Sequence, residues 1–115
     1  MSVYVDDVFK WPIPENEQAA YHARRNDGQW CHLIADTRRE LLEFGKRIGM
    51  KEEWIHQKGQ SGEHYDLAIS RRTPNKRDRA IKAGAVEISG KALADMCRAR
   101  RGVLGKKAYL EMEGD

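Results

Sequence analysis

The sequence predicts a small α/β sandwich that forms a single domain over residues 1–115, with a mixed sheet of about four or five short strands and about three helices. Short apolar runs of strand length alternate with segments of helical period, and the helical segments begin at residues that cap helices. A polar, glycine-containing turn joins two of the apolar runs. That turn predicts a hairpin, and therefore a mixed sheet rather than a fully parallel one.

The first two strands bracket a long irregular segment. Alternating valines over residues 3–8 predict a strand that begins at residue 2 and ends near two aspartates. Residues 10–29 contain two prolines and an Asp-Gly pair, and they predict a loop insertion. Residues 30–35 return to apolar character and predict the second strand.

The clearest local signal is the start of the first helix. Thr37 and Glu40 have the spacing of a capping box, in which two side chains satisfy backbone amides that the first helical turn leaves free. The pattern predicts a helix over residues 38–48 that stops at Gly49. Apolar residues at helical spacing should pack this helix on the sheet: Leu41, Phe44, Gly45 and Ile48.

The next segment predicts the hairpin and the second helix. Residues 54–55 and 65–69 have strand character, and the polar turn at residues 58–63 joins them. A Thr-Pro pair at residues 73–74 has the character of a helix cap followed by a first-turn proline. We therefore expect a second helix that ends before Gly84.

The remaining elements follow directly. Residues 85–88 predict a buried strand, and Ser89 caps a third helix that runs to about residue 101. Residues 102–115 form a tail that could add a short terminal strand.

Composition excludes several classes of protein. Forty per cent of the residues are apolar and 34% are charged, so the chain should fold rather than stay disordered. No apolar run approaches the roughly 18 residues of a membrane span, and acids stand where a secretory signal needs basic and then apolar residues. Two cysteines are too few for a disulfide scaffold. We expect a cytoplasmic protein with reduced cysteines and no membrane partner.

The charge is segregated along the sequence. Residues 1–70 hold 9 Lys/Arg and 12 Asp/Glu, whereas residues 71–107 hold 12 and 3. A basic stretch beside an acidic one suits a ligand that carries phosphate, or a nucleic-acid backbone, although two solvated basic helices would give the same pattern. The basic stretch contains no Phe, Tyr or Trp, so it shows no stacking platform for single strands.

Four groups of polar side chains are candidates for a site. If the strands lie side by side, the loops after the first, second and fourth strands would bring carboxylates to one edge of the sheet, with imidazoles nearby. The candidates are Tyr4, Asp6 and Asp7; His32 and Asp36; His64, Tyr65 and Asp66; and Lys76 and Arg77.

These residue types leave three interpretations open. The carboxylates and imidazoles could ligate a divalent metal, Mg²⁺ or Mn²⁺, that activates water for phosphoester cleavage. They could instead bind the hydroxyls and base edge of a nucleotide whose phosphates contact Lys76 and Arg77, with Arg77 favoured because its planar fork binds phosphate through two hydrogen bonds. The third interpretation is structural, with Asp36 beside the helix cap, His32 in the core and Asp66 at a strand end.

Other motifs add little. A zinc site formed by Cys31 or His32 with His56 and His64 is disfavoured, because the spacing matches no structural zinc pattern. The glycines form neither a P-loop nor a dinucleotide fingerprint, and no serine or cysteine nucleophile signature is present. The residues alone therefore assign no metal and no catalytic residue.

Several short motifs in a fixed order resemble a known family. They are Val3-Tyr-Val-Asp-Asp7, Cys31-His-Leu-Ile-Ala-Asp-Thr37, His64-Tyr-Asp-Leu67, Asn75-Lys-Arg77 and Ala83-Gly-Ala-Val-Glu-Ile88. Outside residues 10–29, nearly the whole chain resembles the domain of unknown function 4031, found in bacteria and many phages. Two departures are that Leu42 stands where the family usually carries a histidine and that residues 68–72 look inserted.

The resemblance implies that the ten candidate polar residues are the family's polar set, but the family name confers no activity. We expect a protein of the cytoplasm, the host cytoplasm if it is phage-encoded, that binds a nucleotide-like or phosphorylated small ligand, requires no cofactor and could sequester a nucleotide signal. One alternative is a metal-dependent phosphoesterase or nuclease that uses the Asp/His cluster. The second alternative is a protein-interaction adaptor. Nucleic-acid binding and a homodimer both stay open.

Overall fold

The sheet is mixed and β3 is its central and longest strand. The computed structural model describes residues 2–7, 9–10, 29–60, 62–69, 74–102 and 109–110. The strands described are β1 (Val3–Val5), β2 (Phe9–Lys10), β3 (Gln29–Ala35), β4 (Tyr65–Ala68) and β5 (Val86–Glu87). The helices described are α1 (Arg38–Arg47), α2 (Lys76–Lys82) and α3 (Gly90–Ala99), with a 3₁₀ turn at Glu52–Trp54. The predicted α/β class, with a mixed sheet and three helices, is confirmed.

The strand pairing places β3 between β1 and β4. β3 pairs antiparallel with β1, β2 and β4, and β1 pairs parallel with β5. Val5 lies opposite Leu33, and Cys31 lies opposite Leu67. Because successive side chains of a strand point to opposite faces, this register gives each face of the sheet its own set of residues.

One face of the sheet forms the main core, and the other carries polar groups. The core face packs against α1 and α2 through Val3, Val5, Cys31, Leu33, Ala35, Leu41, Phe44, Tyr65, Leu67 and Ala80, all buried. The alternate residues of the same strands, among them His32, Ile34 and Asp66, lie on the opposite face. Leu93 and Cys97 of α3 line a cleft together with His32 and Ile34 of this face.

The start of α1 agrees with the predicted cap. The Thr37 hydroxyl accepts a hydrogen bond from the Glu40 backbone amide at 3.2 Å and donates one to the Glu40 carboxylate at 3.0 Å. The predicted apolar stripe is buried, and Gly49 follows the helix with φ of +85°, a left-handed conformation that glycine adopts without steric cost. The predicted helix and its stop are confirmed.

Replacing Thr37 with alanine should lower the free energy of unfolding by about 1 kcal/mol, because the first turn of α1 loses its side-chain cap. Thr37→Ser, which keeps the hydroxyl, is the matched control and should retain most of the stability. Urea denaturation followed by circular dichroism measures both. Full stability of Thr37→Ala would contradict the capping role.

The predicted hairpin before β4 is wrong. Residues 54–55 form no strand, because Glu52–Trp54 is a 3₁₀ turn and only one antiparallel bridge joins His56 to His64. Trp54 is 43% exposed, and the ammonium groups of Lys51 and Lys76 lie 5.4 and 5.2 Å from its ring centre. The apolar Trp-Ile pair therefore reflects a Trp54 ring that contacts lysines at the surface and an Ile55 side chain that packs against the core, not a strand.

The described helices are short, and two predicted boundaries near α2 are wrong. None of these helices is long and apolar enough to cross a membrane. The cap of α2 is Asn75, which forms a reciprocal capping box with Asp78, so the helix begins two residues after Pro74. The strand predicted over residues 85–88 is limited to the two residues of β5. Both are exposed, because β5 lies at the sheet edge beside β1.

Two predicted segments fall mostly outside the described residues. Residues 11–28 of the predicted insertion lie outside them, while its end residues 10 and 29 belong to β2 and β3. In the tail, Tyr109 and Leu110 are helical and not a strand. The Tyr109 hydroxyl is buried and donates a 2.6 Å hydrogen bond to Glu63, which ties this part of the tail to the turn before β4.

Stability should fall at alkaline pH because of Tyr109. Burial, the hydrogen bond to Glu63 and the charge of that carboxylate together raise the pKa of Tyr109 above its ordinary value of 10.0. The unfolded chain therefore loses this proton first as the pH rises past about 10, and the folded state loses stability there. Tyr109→Phe should show a smaller fall in melting temperature than the wild type between about pH 9 and about pH 11. An equal fall in both proteins would assign the effect to other groups.

Candidate functional site

Histidines and aspartates from three neighbouring segments meet on the polar face of the sheet. His32 of β3 lies directly opposite Asp66 of β4. Asp6, just past the end of β1, lies on the other side of His32, with its backbone amide donating to the His32 carbonyl at 3.3 Å. His64 precedes β4 and pairs with His56. The strand register thus builds a row of carboxylate, imidazole and carboxylate, with two further imidazoles beside it.

Asp6 holds His32 in one orientation. This carboxylate is buried, accepts the His32 backbone amide at 2.6 Å and lies 2.7 Å from the imidazole Nδ1. A carboxylate at that distance requires the proton on Nδ1, so the hydrogen-bond pattern assigns the neutral ring as the Nδ1–H tautomer. The lone pair of the His32 Nε2 atom therefore points away from Asp6, on the side of Asp66.

His64 is oriented in the same way by a backbone carbonyl. Its Nδ1 donates to the Gly62 oxygen at 2.7 Å, which leaves the lone pair of the neutral ring on Nε2. That Nε2 atom lies 3.2 Å from Asp66 Oδ1, and the His32 Nε2 atom lies 3.9 Å from the same oxygen. The two rings meet edge to face, with centres 5.1 Å apart.

Asp66 is the common neighbour of His32, His56 and His64. Its Oδ2 atom lies 3.2 Å from His56 Nε2, and its Oδ1 atom is buried without a well-aligned hydrogen bond. Burial raises the pKa of Asp66, but the contact with His64 and the charges of the three histidines outweigh it, so the pKa is lowered overall. Burial lowers the pKa of His64, but Asp66 and the Gly62 carbonyl outweigh it and raise the pKa overall. The arrangement therefore favours a positive charge beside the Asp66 carboxylate.

A metal ion can supply that charge. One ligand atom from each of His32, His64 and Asp66 lies within 4.8 Å of the others. Tetrahedral ligands that bind zinc at about 2.0–2.2 Å stand roughly 3.3–3.6 Å from one another, so the 3.2 Å contact of His64 with Asp66 is close to this spacing. Two imidazoles and one carboxylate suit Zn²⁺, Mn²⁺ or Fe²⁺ better than Mg²⁺.

The cluster opens into a cleft of about 420 Å³ beneath α3. His32 and His64 line the cleft, and Cys97 and Arg101 contribute to it from α3 and the residues just after it. Burial raises the pKa of the Cys97 thiol, so this thiol stays neutral. Arg101 is exposed and adds a positive charge to the cleft.

Two predicted site residues lie on the polar face but form a separate group. The Tyr4 hydroxyl donates to Asp36 at 3.0 Å, and Ser2 donates its backbone amide to the same carboxylate at 2.7 Å. Arg100 lies 3.9 Å from Asp36 and donates to the Ala35 carbonyl. Asp36 is thus engaged in holding the chain end and α3, and the prediction that it joins Asp6, His64 and Asp66 is wrong.

Three further predicted residues do not reach the cluster. Asp7 accepts the backbone amide of Gly90 at 3.1 Å and so caps the start of α3. Tyr65 is buried on the core face, where a side chain at Gly45 would come within 2.5 Å of its ring. Lys76 contacts the ring of Trp54 at the surface. Each of the three thus has a contact of its own elsewhere in the fold, and their part in ligand binding stays a prediction.

Arg77 contacts the outer side of the cluster through the backbone. Its Nε donates to the Asp6 carbonyl at 3.1 Å, and its Nη2 lies 3.3 Å from Glu87. The guanidinium thereby joins α2 to β1 and β5, which favours the structural alternative over contact with a phosphate.

Arg77→Ala should lower the free energy of unfolding by about 1–3 kcal/mol, because the buried Asp6 carbonyl loses a charged donor. Arg77→Lys should lose less, and both folded variants should bind inorganic phosphate as the wild type does. Urea denaturation and phosphate titrations at two salt concentrations measure these quantities. Weaker phosphate binding at unchanged stability would restore the phosphate role.

Sequence reasoning misjudged the geometry of the cluster in two respects. It placed the polar residues at one edge of the sheet, whereas alternation along β3 and β4 places them on a face. The spacing argument against a zinc site of Cys31 or His32 with His56 and His64 also does not anticipate that the bridge before β4 places His56 and His64 side by side. Cys31, the cysteine offered with them, lies on the core face, where burial raises the pKa of its thiol to about 12.

Arg101 and Cys97 were not identified from the sequence as lining residues. The signal that could have found them is the spacing of Leu93, Cys97 and Arg101 by four residues, which predicts one stripe of a helix.

Comparison with known proteins adds a family and nothing further. The family model described as "Protein of unknown function (DUF4031)" matches residues 3–100, which include every residue of the cluster. No curated protein and no solved structure matches the chain.

Proposed function

Because the chain belongs to the DUF4031 family, whose description names no activity, we propose from its geometry that it is a divalent-metal-dependent phosphoesterase. His32, His64 and Asp66 would hold the metal. The observation that carries the proposal is the convergence of two imidazole Nε2 atoms on a buried carboxylate oxygen that has no aligned hydrogen bond.

The surroundings of these three residues support a metal centre. Histidine ligands of metals almost always donate their other ring N–H to a carboxylate, a backbone carbonyl or water, which fixes the ring for the metal. Asp6 provides such a carboxylate for His32, and Gly62 provides such a carbonyl for His64. His56 adds a further imidazole at the solvent-exposed side of the cluster. Its side chain is 59% exposed, and its Nε2 atom lies 3.2 Å from Asp66 Oδ2.

The charges around the cleft support phosphate as the group that it receives. Arg101 adds a guanidinium to the cleft, and such a group matches phosphate oxygens through parallel hydrogen bonds. The excess of basic residues between positions 71 and 107 also favours an anionic ligand. A phosphorylated or nucleotide ligand, as expected from the sequence, is therefore the substrate class that we propose.

The reaction is hydrolysis of a phosphoester. A divalent metal on these residues would lower the pKa of a bound water, which would give up a proton to solvent and attack phosphorus through its oxygen. The ester oxygen leaves and takes a proton from solvent, so one water is consumed and an alcohol and a phosphate product are released. Arg101 balances negative charge on the phosphoryl oxygens.

The test uses the full chain stripped of metal with a chelator. Calorimetric titration with Mn²⁺, Zn²⁺ and Mg²⁺ should show one site, with Mg²⁺ the weakest, and bound metal should raise the melting temperature by mass action. The loaded protein should then hydrolyse bis(p-nitrophenyl) phosphate or p-nitrophenyl phosphate, and chelator should stop the reaction. Absence of metal binding would overturn the proposal. Metal binding without turnover would leave a ligand-binding protein and refute the enzyme.

A further inference from the structure

We infer that the turn that contains Gln57, Gln60 and Gly62 recognises a nucleobase, and that the phosphorylated substrate is a nucleotide. This inference rests on the proposed function, because two of the proposed metal ligands, His32 and His64, line the same cleft as the turn. Gln57, Gln60 and Gly62 of the turn line the cleft together with His32 and His64. A ligand whose phosphate contacts the metal can thus reach the turn.

The turn holds Gln57 in an uncommon conformation. Its φ of +56° is left-handed, a region that glycine and asparagine occupy far more readily than glutamine. The glutamine Oε1 atom would lie 2.6 Å from a Cβ atom at position 62, so a larger residue there would displace the side-chain amide from its present position. An uncommon backbone conformation at a residue that lines the cleft points to a role for this amide at the cleft.

Neighbouring contacts fix the turn in place. The Gln60 amide donates to the Gln57 carbonyl at 3.0 Å, and the Gly59 amide donates to the buried Glu63 carboxylate at 3.2 Å. Glu63 in turn accepts the Tyr109 hydroxyl. The side-chain amides are therefore carried on an anchored turn, which favours selective hydrogen bonding.

The chemistry of the lining fits a base better than a sugar. A primary amide offers a donor and an acceptor in one plane, which is the pattern that base edges match. The lining also includes the buried residues Ile34 and Leu93, which make part of the cleft wall apolar. A volume of about 420 Å³ lies within the range of roughly 300–1,000 Å³ for small-molecule sites.

The experiment compares ligands with and without a base on the Mn²⁺-loaded protein. Calorimetry measures the affinity for the four common ribonucleoside 5′-monophosphates and for ribose 5-phosphate. At least one nucleotide should bind about tenfold or more tightly than ribose 5-phosphate. Equal affinities would overturn base recognition. If the protein binds Mn²⁺ and no phosphate at all, the proposed function fails instead.

Variants of the turn test whether its glutamine side chains cause the preference for a nucleotide. Gln57→Gly should weaken nucleotide binding about tenfold, leave ribose 5-phosphate binding unchanged and keep the melting temperature, because glycine adopts this φ freely. Lys58→Ala, an exposed change on the same turn, is the matched control and should bind as the wild type does. Arg101→Gln should weaken both ligands alike, since it removes a phosphate contact. Unchanged nucleotide affinity in Gln57→Gly and in Gln60→Ala would contradict the inference.

Discussion

Asp66→Asn should reduce the affinity for Mn²⁺ and Zn²⁺ by more than about 100-fold, because loss of even an outer partner of a metal ligand typically costs 10–100-fold. The amide keeps the size of the side chain but removes the negative charge that three histidines face. Hydrolysis of phosphoesters should fall at least as far. Calorimetric metal titration measures the first effect without relying on activity.

A graded response separates the metal centre from general damage to the sheet. Asp6→Asn should cost about 10–100-fold in metal affinity, because His32 loses the carboxylate that fixes its tautomer while the ligand atoms stay in place. His64→Ala should resemble Asp66→Asn.

Asp36→Asn is the matched control. This carboxylate lies on the same face of the sheet but bonds to Tyr4 and Ser2, outside the cluster. Asp36→Asn should leave the metal affinity within about twofold of the wild-type value, even if the melting temperature falls. Equal losses of metal affinity in the Asp36 and Asp66 variants would show that the effect is structural, and the metal centre would be abandoned.

Local chemistry made much of the fold predictable. The cap at Thr37, the apolar stripe of α1, the stop at Gly49 and the cap at Ser89 all depend on residues within a few positions of one another. Such signals are complete in the sequence, because the groups that satisfy each other are neighbours along the chain.

The two wrong strand predictions have a different cause, because both concern segments whose structure depends on distant parts of the chain. The apolar pair at Trp54 indicates a strand by composition, yet its ring lies beside Lys76, which is 22 positions away in the sequence. Residues 85–88 have the composition of a buried strand, yet β5 lies at the sheet edge because of its pairing with β1. Tertiary placement decided both, and no local pattern records it.

The candidate site was likewise predictable where neighbouring residues decide it and unpredictable where tertiary placement does. Residue types and their closeness to strands were enough to select Asp6, His32, His64 and Asp66. Their convergence depends on register, since a slip of one residue between β3 and β4 would move Asp66 to the core face. The contribution of α3 depends on helix packing across the sheet. Asp36 was included wrongly because convergence depends on strand register. Arg101 was not found because its place depends on how α3 packs across the sheet.

Glu63→Ala should lower the free energy of unfolding by about 3–5 kcal/mol, because it removes one partner of a buried ion pair. Glu63 is 1% exposed, lies 3.4 Å from Arg38 and accepts the buried Tyr109 hydroxyl at 2.6 Å. It also accepts the amide of Gly59. One carboxylate therefore connects α1, the turn before β4 and the tail.

An exposed ion pair on α1 offers the matched control. Glu43 lies 3.2 Å from Arg39, and both side chains are more than half exposed, so Glu43→Ala should cost only about 0.2–1 kcal/mol. Glu63→Gln should fall between the two alanine variants, because the amide can still accept the Tyr109 hydroxyl but carries no charge. Urea denaturation of the three variants gives the order directly.

The Glu63 variants also distinguish an effect on folding stability from an effect on ligand binding at the candidate site. Glu63 precedes His64 and anchors the turn that holds Gln57, so Glu63→Gln should weaken nucleotide binding more than Mn²⁺ binding. The metal ligands keep their own supports, because Asp6 orients His32 and Gly62 orients His64. If Glu63→Ala and Glu43→Ala proved equally stable, Glu63 would not be the connection between helix, turn and tail that its contacts describe. An intermediate value for Glu63→Gln, with Mn²⁺ affinity retained, would show that the carboxylate stabilises the fold while the imidazoles and Asp66 bind the metal.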